Sequence, residues 1–84
     1  MRLDKYLKIS RLIKRRTVAN EACDAGRVSV NGKPAKASHE IKPGDVIDVR
    51  FGSKTLSVEV ISTSEYATKA DAAAMYREIA GEVG

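Results

Sequence analysis

The sequence predicts an α+β fold: two N-terminal helices packed on a small antiparallel sheet, followed by a C-terminal helix. Three observations carry that reading. Apolar residues recur at helical spacing up to about residue 25, alternate with polar ones between Val28 and Val60, and return to helical spacing after Thr68. At 84 residues the chain has room for one small domain with a modest core. Residues 1–61 read as that domain, and 62–84 as a connector and the terminal helix.

The first helix is marked by Leu3, Tyr6 and Leu7 at i, i+3 and i+4. Arg2, Lys5, Lys8, Arg11 and Lys14 recur every third residue, which on one unbroken helix would drift about 60° per step and wrap around it. A break near Ser10 with a second, angled helix lets these charges share a surface. Thr17 is the expected N-cap of that helix, Val18, Ala22 and Ala25 its packed stripe, and Gly26 its left-handed stop. Asn31-Gly32 then signals a type I′ hairpin, Pro34 a short or edge return strand, and Pro43-Gly44 a type II turn. Ile47, Val49 and Phe51 alternate with Asp48 and Arg50, and beyond Gly52-Ser53 Leu56, Val58 and Val60 alternate with Ser57 and Glu59. Thr68 and Asp71 have capping-box spacing ahead of a face of Ala72, Met75, Tyr76, Ile79 and Ala80, which predicts the terminal helix.

Charge is unevenly spread. The net charge is +4, yet residues 1–54 carry 13 Lys/Arg against 6 Asp/Glu, whereas residues 55–84 carry 2 against 5. Within the first sixteen residues Arg2, Lys5, Lys8, Arg11, Lys14, Arg15 and Arg16 face Asp4 alone. Such a block repels itself unless a polyanion neutralises it. Arginine forks pair bidentately with phosphate, and the short helices lack the long apolar face of a membrane-surface helix, so nucleic acid is the expected partner and a membrane is not. Arg27, Asn31 and Lys33 add a weaker cluster at the hairpin. A single cysteine and a single histidine exclude an internal disulfide and a four-ligand zinc site, and neither a cofactor nor a metal is expected. With no signal peptide or apolar span, a reducing cytoplasm is the expected compartment.

Nothing places a nucleophile, base and orienter together, so an enzyme is not expected. His39 reads as an exposed loop residue, Cys23 as a packed thiol, Tyr6 as core rather than a base-stacking platform, and Asp4 as an ion pair with Lys8 or a brace on the basic cluster.

The order Arg2-Leu3-Asp4-Lys5-Tyr6-Leu7, the basic stretch Ser10 to Thr17, and Ala25-Gly26-Arg27-Val28-Ser29-Val30-Asn31-Gly32-Lys33 resembles the S-four RNA-binding domain, or alpha-L motif. The Lys42-Pro43-Gly44-Asp45 turn extends the match over roughly residues 1–60. The resemblance implies binding of structured RNA by the helical pair and hairpin. Too little chain remains for the catalytic domain of the family's enzymes. Ser10 to Thr17 and Ala73-Ala74-Met75-Tyr76 are most similar to the RqcP family of ribosome-associated quality control, with the fifteen-kilodalton heat-shock family second. RqcP-like proteins imply particular partners: large-subunit ribosomal RNA, peptidyl-tRNA and an RqcH-type protein. With these a monomeric, ribosome-associated factor would support messenger-independent alanine tailing without chemistry of its own.

Overall fold

In a computed structural model of the chain, residues 1–63, Ala72 and 74–81 are described. Helix α1 (Leu3–Ile9) and helix α2 (Arg16–Asp24) precede strands β1 (Val28–Val30), β2 (Lys33–Pro34), β3 (Val46–Phe51), β4 (Lys54–Val60) and β5 (Tyr76–Gly81). The strands form one sheet in the order β2-β1-β3-β4-β5, and every neighbouring pair is antiparallel.

Helix α1 starts without a side-chain cap. The loop before β3 replaces it: Leu3 N–H donates to the His39 carbonyl at 2.8 Å and Asp4 N–H to that of Ala37 at 3.1 Å. The helix ends at Ser10, as expected, with Arg11 in the left-handed region at φ 63°. Arg11 N–H bonds the Lys8 carbonyl and Ile13 N–H that of Leu7. Helix α2 closes in a Schellman motif, with Gly26 N–H on Cys23, Arg27 N–H on Ala22, and Gly26 at φ 74°. Its start departs from expectation: Arg15, not Thr17, is the N-cap residue, and it makes no capping hydrogen bond. Its packed stripe is also rotated. Ala19 and Cys23 are buried and Ala22 is half-buried, while Val18 and Ala25 are exposed. Small side chains four apart let α2 lie close to α1, which turns Val18 outward.

The strands follow their turns. Asn31 (φ 53°) and Gly32 (φ 84°) sit between the paired Val30 and Lys33, as a type I′ turn requires. Asp45 N–H bonds the Lys42 carbonyl across Pro43-Gly44, with Gly44 at φ 96°. Val28, Val30, Ile47, Val49, Val58 and Val60 form the buried face of the sheet beneath Leu3, Tyr6, Leu7 and Ile13. Each fully buried aliphatic contributes about 1.5–3 kcal/mol by leaving water.

The expected terminal helix is not found over its second half. Tyr76–Gly81 pairs with β4 instead, with a bulge opposite Ser57/Val58. Without β5, β4 would be an open edge, and pairing it outweighs a short helical pattern in a segment holding Tyr76 and Ile79. The capping-box pair Thr68 and Asp71 lies outside the described residues. Met75 anchors the strand's approach: it is buried, and its carbonyl accepts the Tyr6 hydroxyl at 2.6 Å.

Candidate nucleic-acid interface

Asp4 is the pivot of the basic N-terminal region. Its carboxylate is almost wholly buried, yet all its hydrogen-bond partners in the structure are nearby donors. Arg2 donates through Nε at 3.2 Å and Nη2 at 3.4 Å, Arg16 through Nε at 3.3 Å, Asn20 through Nδ2 at 3.4 Å, and the Lys5 amide at 2.8 Å. Burial pushes the carboxyl upward, but these donors, led by Arg16 and Asn20, outweigh it and hold Asp4 below its usual value. Asp4 therefore stays ionised and fixes two arginines, Arg2 just before α1 and Arg16 at the start of α2, each with about half of its side chain open to solvent. Lys8 is not its partner.

The other predicted residues fall into four places. Lys5 and Lys8 lie on α1, the first half-buried and the second exposed; Arg11, Lys14 and Arg15 are exposed along the α1–α2 connection. Arg27 stands at the opposite end of β1 from the hairpin and lines a groove with Lys14. Asn31 and Lys33 are exposed at the β1–β2 hairpin, some 10–13 Å along the strand from Arg27 at about 3.3 Å per residue. The Asn31 carboxamide is engaged within the protein: its Nδ2 donates to Asp45 Oδ1 at 3.2 Å and its Oδ1 accepts Val46 N–H at 3.0 Å. It ties the hairpin to the start of β3. Arg2 and Arg16 thus meet on Asp4, Arg11, Lys14 and Arg15 stand exposed between the two helices, and the hairpin is a separate feature.

Three residues behave as their surroundings dictate. Tyr6 is fully buried, and burial pushes its phenol well above the usual value. Burial, with the Asp4 and Asp24 charges, raises the Cys23 thiol to about 11, so it is a packed and unreactive group. His39 is an exposed loop residue whose carbonyl caps α1.

Residues 1–47 match the family model for the S4 domain. The chain belongs to the S4 domain family. It is 57% identical, over 90% of its length and 88% of the relative's, to the "RQC P-site tRNA stabilizing factor" of Bacillus subtilis. It is 54% identical to the factor of the same name from Streptococcus pneumoniae, covering 94% of this chain and 90% of the relative. Among solved structures, trimeric heat shock protein 15 of Vibrio cholerae superposes with a TM-score of 0.86 at 32% identity, covering 95% of this chain and 82% of that one.

Reading the sequence alone overlooks Asn20, within the S4 domain, and Arg50, just beyond the matched residues and lining the same groove as Arg27. Asn20 follows Arg16 by four residues, so both face Asp4 from one side of α2; that spacing was the available signal. Arg50 alternates outward along β3, where a charged residue looks like ordinary solvated surface.

Proposed function

We propose that this protein is a non-enzymatic RNA-binding factor of ribosome quality control. It binds large ribosomal subunits that still hold peptidyl-tRNA and keeps that tRNA in place. The observation that carries the reading is the fixed pair Arg2 and Arg16, held by the buried Asp4 at the starts of the two helices, together with the exposed cations Arg11, Lys14 and Arg15 of the connection. Guanidinium groups held in one orientation lose little entropy on meeting phosphates, and a rigid cationic face biases an RNA arrangement without forming bonds. No side chain caps the N-terminus of α2, which leaves its dipole directed at the same region. The names of the Bacillus and Streptococcus relatives support the tRNA and quality-control parts of the reading.

The finer reading is that the factor acts as a monomer in the cytoplasm. It touches ribosomal RNA and tRNA together, works with an RqcH-type protein, and supports alanine tailing. Lys5, Lys8, Arg27 and Lys33 would extend the contact, with Asn31 positioning Lys33. The likeness to heat shock protein 15 favours a second reading, a rescue protein for split subunits. Deletion separates the two: loss of alanine tails supports the first, and retention of tails with accumulation of blocked subunits supports the second.

Pull-down of the tagged protein followed by sequencing of associated RNA tests the proposal. Large-subunit RNA with tRNA and without small-subunit RNA is the expected result. Recovery of no RNA, or of both subunits equally, contradicts it. Arg16→Ala should weaken binding to these subunits about tenfold, the scale of one charge-assisted contact, while circular dichroism stays that of the wild type.

A further inference from the structure

We infer that the groove between the α1–α2 connection, α2 and the end of β3 holds one unpaired nucleotide of the bound RNA, its base stacked on Phe51. Leu12, Val18 and Phe51 floor the groove, and Lys14, Arg27 and Arg50 line it as well. It encloses about 430 Å³, within the range of small-ligand sites. Phe51 continues the helix-facing row of Ile47 and Val49, but that row runs past the cover of the helices, leaving the ring 45% exposed. Val18 is 47% exposed beside it. Two large apolar side chains left open on one groove call for an apolar, flat occupant.

The charges decide which occupant. Lys14, Arg27 and Arg50 are all cationic, and among the described residues no carboxylate lines the groove. Among the described residues none of the three is paired with an acid. A planar ring flanked by phosphate matches an aromatic floor with an all-cationic rim. An acidic peptide could satisfy the charges but gains nothing specific from the aromatic ring. Leu12 and Lys14 belong to the basic connection itself, so a strand lying along Arg11 to Arg16 reaches the groove without a gap. The inference rests on the RNA-binding reading above and adds a stacking subsite to it; the aromatic face tolerates any base.

The chain has no tryptophan, so Phe51→Trp supplies a single reporter at the floor. Titration with single-stranded oligoadenylate should quench its emission, and a blunt RNA duplex of equal length should not. Phe51→Leu should weaken oligoadenylate binding about tenfold, the effect of losing one stacked base, and Phe51→Tyr should restore it. Equal affinity of Phe51→Leu and wild type, or equal quenching by duplex, overturns the inference. So does quenching by an acidic Glu/Leu peptide in place of RNA, or by raising protein concentration alone, which would assign the groove to a protein partner or a second copy. Any of these results alongside normal recovery of large-subunit RNA by the wild type overturns the subsite alone. Loss of that RNA as well overturns the RNA-binding reading.

Discussion

Asp4 and Arg11 are where single residues matter most, for opposite reasons. Asp4 stabilises by remaining charged in a buried position. In the unfolded chain its carboxyl titrates near the usual 3.8, and in the folded chain it titrates lower. Its contribution is therefore complete above the unfolded value and fades as the pH falls through the folded one. Asp4→Asn should cost about 1–2 kcal/mol in urea unfolding near neutral pH, at the low end for bonds to a charged group because the arginines are half exposed. The gap from wild type should narrow below about pH 4. A gap independent of pH would remove the carboxylate from the account. Arg11 carries backbone strain, since an L side chain at φ 63° is held in a region that favours glycine. Helix α2 ends on Gly26 in the same role. Arg11→Gly should stabilise the fold by up to about 1 kcal/mol while reducing the salt dependence of RNA binding by about one contact. Loss of stability would show that the Arg11 side chain supports the fold rather than the ligand. The sequence raises Asp4 as a brace but leaves its partner open, because helical spacing favours Lys8 and only the packing of α2 on α1 brings Arg16 and Asn20 within reach.

At the scale of elements, legibility tracks how local the determining forces are. The β1–β2 hairpin and the turn at Lys42 to Asp45 are set by backbone freedom at Asn31, Gly32 and Gly44, which a sequence declares directly. The break after Ser10 is legible from the charge spacing. The rotated stripe of α2 and the strand at Tyr76–Gly81 are not, since each depends on a partner element distant in sequence. The α1–α2 contact tests the first of these. Ala19 is fully buried, so Ala19→Leu should force the helices apart at a cost of about 1–3 kcal/mol, read by thermal unfolding. The corresponding Val18→Ala, at an exposed position, should change stability by less than about 0.5 kcal/mol. Equal effects would mean that the helix faces are not as described.

Across the whole molecule, one core joins the helical pair to the sheet and leaves the cations outside it. Tyr6 ties the two ends of the chain together through the Met75 carbonyl, a contact between residues 69 positions apart. Tyr6→Phe should therefore lower stability by about 1 kcal/mol without altering RNA affinity. The +4 net charge understates the electrostatics, because residues 1–54 carry 13 Lys/Arg against 6 Asp/Glu and residues 55–84 carry 2 against 5. The most direct test is the affinity for large subunits carrying peptidyl-tRNA, measured between low and moderate salt. About six phosphate contacts predict a log–log slope of roughly −4 to −5, and a slope near zero would contradict a cationic face as the means of binding.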